Sequence, residues 1–195
     1  STPEFEYLKD LPWVWTEKID GTNIRIMWNG EEVSFGGKTD KAQLPAKLVN
    51  WLKEHLCDNN GDTDVGLGTA FTPDNFRRIF NNQEQVCLYG EGYGAGIQSV
   101  GKLYSPEQKF ILFDVRIGHW WLERDKVVDI AEQFLLDVVP SVDSCSLVDM
   151  VECVRFTGTP EGEKIPTSRI GTALVEGDVG TPKVSLLKRN AQRVI

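Results

Sequence analysis

Trp13-Val14-Trp15-Thr16-Glu17-Lys18-Ile19-Asp20-Gly21-Thr22-Asn23-Ile24-Arg25-Ile26-Met27-Trp28-Asn29-Gly30 is the stretch that decides the fold. Residues 13–19 read as a strand. Ile24, Ile26 and Trp28 alternate, and Val33 and Phe35 continue the alternation, so 23–35 reads as a hairpin. Asn29-Gly30 predicts a type I′ turn at its tip. Beyond it, 44–56 predicts a helix, with Pro45 in its first turn and Leu48, Leu52 and Leu56 four apart. Residues 58–70, rich in Asp, Asn and Gly, predict an exposed loop. Thr72-Pro73 opens a short helix that runs to Phe80, with Thr72 as its cap. A strand at 86–89 is followed by a glycine-rich turn. Residues 110–115 predict a buried strand, 120–122 a continued meander, and 125–138 an amphipathic helix. A further helix is expected at 146–156 and a strand at 173–179. Strands in hairpins with interspersed helices make the class α+β, with mainly antiparallel sheets flanked by helices.

The 195 residues suffice for one sizeable core, so one domain over 1–195 is expected. With 41% apolar and 26% charged residues the composition is that of a folded globular chain. No run of 18 apolar residues exists, which excludes a membrane-spanning helix. No basic segment leads into an apolar stretch, so no secretory leader is visible; the chain begins at Ser1. Cys57, Cys87, Cys145 and Cys153 are scattered and histidines number two, so no zinc pattern is present. Reduced thiols and a cytoplasmic location are the expectation. The net charge of −8 repels nucleic acid on average. Its distribution matters more. Residues 129–163 hold eight carboxylates against one arginine, a net of −7, and the last fourteen residues carry Lys183, Lys188, Arg189 and Arg193 with no acid. A local basic face is therefore compatible with the sum.

Five short segments carry chemistry-bearing residues. Lys18 stands at a strand end before the Asp20-Gly21 turn. An amine there can serve as a nucleophile once desolvation or a neighbouring cation releases its proton. Asp20 would not help with that release, which leaves it metal or substrate contact. Gly36-Gly37-Lys38-Thr39 presents a cation and backbone amides suited to a phosphate, or simply a solvated turn. Gly90-x-Gly92-x-x-Ala95 imitates a dinucleotide fingerprint, but no helix is expected after it, so that reading is rejected. The same turn leaves Glu91 able to accept hydrogen bonds from a sugar. Phe113 could stack on a base, and Asp114 in so apolar a run requires a partner. Glu176, beside Gly177, could hold a magnesium ion.

Taken in order, Lys18-x-Asp20-Gly21-x-Asn23, Gly37-Lys38-Thr39, Gly90-Glu91-Gly92-Tyr93-Gly94, Phe113-Asp114-Val115 and Glu176-Gly177-x-Val179 resemble the covalent nucleotidyltransferases. That superfamily holds ATP-dependent ligases and messenger-RNA capping enzymes, and the likeness is greatest to the RNA ligase 2-like branch, many of them phage-encoded. The resemblance implies the nucleotidyltransferase fold and an ATP-dependent RNA ligase that uses ATP and Mg2+ (or Mn2+). It implies RNA ends or a nicked duplex as partner. Lys18 matches the lysine that becomes adenylylated, Glu91 the contact to the nucleotide sugar, and Phe113 the ring on adenine. Glu176 matches a carboxylate near adenylate and metal, and Asp20, Gly21 and Asn23 complete the nucleotide site. Lys38 replaces the family's arginine, which keeps the charge and loses the planar fork. Asn23 favours the RNA branch over DNA ligases and capping guanylyltransferases. The family's Lys-x-Lys strand is not found before Ile195. An impaired chain or a catalytically silent nucleotide- or RNA-binding module is therefore the alternative expectation.

Overall fold

The computed structural model describes residues 2–58, 67–83, 85–156 and 167–183, with backbone only at 143–145 and 153–156. The basic residues Lys188, Arg189 and Arg193, and the middle of the 58–70 loop, lie outside the described residues. The chain divides into two compact units, 1–19 with 140–195, and 20–139.

In the first unit a short helix α1 (Pro3–Leu8) precedes β1 (Trp13–Lys18). β1 is the middle of a three-stranded antiparallel sheet, between β10 (Ser141–Cys145) and β11 (Gly177–Pro182). Trp15 and Glu17 form its buried row, while Lys18 is exposed. Helix α6 (Leu147–Phe156) follows β10, as expected for 146–156. The strand expected at 173–179 begins later, at Gly177. Glu176 therefore sits just ahead of β11 rather than inside it.

The second unit is built on a sheet of β2 (Thr22–Trp28), β3 (Val33–Gly36), β6 (Val86–Tyr93), β7 (Lys109–Ile117) and β8 (Trp120–Trp121), in the order β3-β2-β6-β7-β8. Its core row is Ile24, Ile26, Trp28, Leu88, Phe110, Leu112 and Val115. Helices α2 (Ala46–Glu54), α3 (Pro73–Ile79) and α5 (Arg124–Gln133) add Leu48, Leu52, Phe76, Val127 and Ile130 to that core. Thr72 caps α3 as expected, its hydroxyl accepting from the Asn75 N–H at 3.3 Å. β4 (Leu56–Asp58) and β5 (Leu67–Thr69) pair antiparallel at the ends of the expected 58–70 loop. A four-residue helix α4 (Gly101–Tyr104) follows β6. None of the described helices is long and apolar enough to cross a membrane.

Three local expectations are corrected. The β2–β3 tip is a four-residue loop, not a two-residue type I′ turn. Asn29 Oδ1 accepts the N–H groups of Glu31 and Glu32 at 2.9 Å each, which closes the wider loop. The glycine-rich segment is strand, not turn: β6 runs on through Gly90-Glu91-Gly92 to Tyr93. A Cβ on Gly90 would lie 2.2 Å from the Phe110 ring, so this glycine serves close packing. The helix expected over 125–138 stops at Gln133. Residues 137–138 instead form β9 (Asp137–Val138), which pairs parallel with β7.

β7 carries a bulge. Tyr89 opposes Asp114 and Gly90 opposes Leu112, which leaves Phe113 as the extra residue. Phe113 and Asp114 are both half-buried on the side away from the core row, between core residues Leu112 and Val115.

His55, past the end of α2, is half-buried, with its ring stacked at 4.6 Å on Trp51 and 5.7 Å on Phe71. Its Nε2 meets the Phe134 carbonyl at 2.9 Å. Burial holds its pKa below the ordinary 6.5, against the opposing pull of the carbonyls of Phe134 and Leu135. A lowered folded pKa stabilises the fold fully above the unfolded value, and that contribution is lost as pH falls through the folded one. Thermal midpoints of the parent chain should therefore drop more steeply from about pH 7 to about pH 5 than those of His55→Phe. Parallel curves for the two proteins would remove His55 as the titrating group.

Candidate active site

The candidate residues fall into two groups, one in each unit. In the first unit Lys18 is the last residue of β1 and opposes Gly177 of β11. Its Nζ donates to the Glu176 carboxylate, 158 residues away in sequence. Both side chains are partly open to solvent, at 51% and 38%. The register thus brings the expected nucleophile to the expected later carboxylate. On the opposite row, Glu17 is only 5% exposed. One of its carboxylate oxygens accepts the Arg169 N–H at 3.1 Å, and Oε1 has no partner among the described residues. A buried acceptor in that state suits a donor supplied by a ligand. Asp178 opposes Glu17 in register; burial pushes its carboxyl up, Arg169 pulls it back and Glu17 adds to the rise.

In the second unit Asp20 and Gly21 form the turn into β2. The Asp20 N–H donates to the Tyr104 hydroxyl at 3.4 Å, and Gln98 Nε2 donates to the Gly21 carbonyl at 2.8 Å. A Cβ on Gly21 would lie 2.3 Å from the Gly92 carbonyl oxygen and 2.7 Å from Glu91 Cγ. Asn23 opposes Glu91 across β2–β6, so two expected site residues form one cross-strand pair. Phe113 joins the same side of the sheet through the β7 bulge. Lys38 is exposed in the loop after β3. Arg25, two residues beyond Asn23, braces that loop: its Nε donates to the Gly37 carbonyl at 2.7 Å, and its Nη2 meets Asp40 Oδ1 at 2.8 Å.

Sequence reasoning named Lys18, Asn23, Glu91 and Glu176 one by one, without foreseeing that Lys18 meets Glu176 or that Asn23 opposes Glu91. It missed Glu17, Arg25 and Gln98. The signal for Glu17 was a carboxylate continuing the Trp13-Trp15 row. For Arg25 it was a charged residue between Asn23 and Met27 on the row of β2 opposite Ile24 and Ile26. Gln98 had no local signal, because its bond reaches back 77 residues.

For a divalent ion the donor chemistry fits in part. Glu176 offers hard oxygen, but no group of three His, Cys, Asp or Glu side chains is assembled among the described residues. Magnesium commonly takes one or two carboxylates and completes its shell with waters and substrate phosphates, so a single carboxylate such as Glu176 is compatible with it.

A family model described as RNA ligase matches residues 11–193. No curated protein matches the chain. Among solved structures, an apo variant of Naegleria gruberi RNA ligase superposes with a TM-score of 0.62 at 19% identity, over 92% of this chain and 48% of that one. The same ligase with PPi gives 0.61 at 20% identity, over 92% and 49%. A variant with ATP and Mn gives 0.60 at 20% identity, again over 92% and 49%. The chain spans about half the length of these structures, and at such identity the likeness establishes the shared α+β fold.

Proposed function

The chain belongs to the RNA ligase family, and from that premise we propose that it joins RNA 5′-phosphate and 3′-hydroxyl ends with ATP, through an adenylate carried on Lys18. The observation that carries the reading is the Lys18–Glu176 pair: an amine at the end of a rigid strand, aimed by a carboxylate from the neighbouring chain segment. In the first step the Lys18 amine attacks the α-phosphorus of ATP, loses a proton, and pyrophosphate leaves. A phosphate oxygen of the RNA 5′ end then displaces the lysine from AMP. Finally the 3′-hydroxyl attacks the 5′-phosphorus, AMP departs and the phosphodiester is formed. Each step is a phosphoryl transfer that rests on positioning and charge neutralisation.

Glu91 would accept from the nucleotide ribose, with Asn23 beside it. Phe113 would stack on adenine. Lys38, on the loop braced by Arg25, would meet a phosphate. Asp20 and Gly21 set the entry of the chain into β2. A divalent ion held at Glu176 would offset charge on the phosphate oxygens when bound. Intact mass after incubation with ATP and Mg2+ or Mn2+ tests the proposal. One added AMP, removed on adding 5′-phosphorylated RNA, is expected. No adduct with either ion overturns it.

Phe113 offers a second test. Base–aromatic stacking is worth about 1–3 kcal/mol, so Phe113→Ala should weaken ATP binding by roughly that amount in calorimetry. Phe113 lies outside the core row, so the variant should melt close to the parent. Unchanged affinity in the folded variant would refute the stacking role.

A further inference from the structure

Arg116 lies on β7, three residues past Phe113 and on the outward row. It opposes Trp121 of the edge strand β8 and Cys87 of β6. Its guanidinium lies over two rings, 5.8 Å from the Trp121 centroid and 6.0 Å from that of Tyr89. Those rings are themselves 5.0 Å apart and inclined at 41°. Two aromatic contacts fix the cation's plane while the residue stays exposed. Among the described residues no carboxylate comes within ion-pair distance of it, in contrast to Arg25 and Arg77. Asp114, opposite Tyr89, turns its Oδ1 to the Val115 N–H at 3.1 Å. At the next position of the edge strand, Trp120 is 76% exposed.

A preoriented guanidinium without a carboxylate partner suits a phosphate. An open indole one position along β8, on the other row opposite Ile117, suits the face of a base. Arg116 shares the outward row of the proposed nucleotide residues: Tyr89, which it overlies, is two positions from Glu91 on β6, about 7 Å along the strand. We propose that the β7–β8 edge is an RNA-binding subsite, in which Arg116 holds a backbone phosphate and Trp120 stacks on a base of a single strand crossing the sheet edge. Because β8 is only two residues long, a polymer crossing it meets both rows. Stacking tolerates any base, so the contact is expected to be insensitive to sequence. The proposal rests on the ligase reading for its choice of RNA, but not on Lys18 chemistry.

The test uses the full chain and a short, fluorescently labelled, 5′-phosphorylated single-stranded RNA, followed by anisotropy over a series of salt concentrations. Trp120→Ala should weaken binding roughly five- to 150-fold, the range that stacking energies imply. Arg116→Ala should lower the slope of log affinity against log salt by about 0.7, the value for one phosphate on a single strand. Arg116→Lys should keep that slope and bind less tightly than the parent, because an ammonium lacks the flat face that two rings hold. ATP affinity and melting should match the parent in all three. Variants that fold and bind RNA within about twofold of the parent overturn the subsite. So does a parent chain that acquires AMP and ignores RNA, an outcome that leaves the adenylylation reading standing. A parent that binds RNA through Arg116 but never acquires AMP does the reverse.

Discussion

Lys18→Ala should abolish the AMP adduct altogether, the largest effect expected of any substitution. The adduct is a bond to Nζ, and alanine has no atom to form it. The fold should be indifferent. Lys18 lies at a strand end, half exposed, and its pair with Glu176 is open to solvent. Such pairs contribute roughly 0–1 kcal/mol. Lys18→Arg sharpens the test. It keeps the cation that Glu176 receives, but a guanidinium does not give up its proton in a protein. Both variants should therefore fold and both should stay unmodified after ATP and metal. An adduct that persists and maps to another lysine would sink the assignment.

Gly21→Ala should come next. The new methyl would press on the Gly92 carbonyl oxygen and on Glu91 Cγ, at 2.3 and 2.7 Å. The Gly92 contact is backbone of β6 and cannot rotate away. Either the turn lifts from β6, taking Asp20 with it, or Glu91 is displaced. Overpacking of this kind costs about 1–3 kcal/mol of stability. The larger effect should fall on activity, because misplacing a reacting arrangement by about 1 Å can cost about a hundredfold in rate. Single-turnover adenylylation measures it, with a melting curve alongside. A folded Gly21→Ala protein that adenylylates at the parent rate would show that the turn's closeness to Glu91 is irrelevant.

What could be read from the sequence was whatever obeyed local rules. The alternation of Ile24, Ile26 and Trp28 gave β2, and Thr72-Pro73 gave the start of α3. Local rules failed where distant contacts decided. Gly90 and Gly92 look like turn residues, yet they are glycine because Phe110 and Leu48 pass too close for a side chain. Residues 137–138 continue a helical pattern, but their backbone pairs with β7 instead. The motif order selected the family, and it named Lys18 and Glu176, which the structure pairs. It could not reveal that Glu17 is buried with an open acceptor, or that Gln98 reaches Gly21, because both depend on chain segments far away in sequence.

The bulge in β7 separates the sheet's register from the proposed adenine contact at a single residue. Leu112 opposes Gly90 and Asp114 opposes Tyr89, so the ladder on either side is in step, and Phe113 is supernumerary to it. Shortening a central strand by one residue ordinarily turns its interior outward. Here it would merely regularise the strand: Leu112 and Val115 would keep their places inside, Arg116 its place outside, and only the proposed adenine ring would vanish. The sheet has no need of Phe113. The residue is a guest of the scaffold, so a loss of ATP binding in Phe113→Ala would report on the ring itself and not on the register of the sheet.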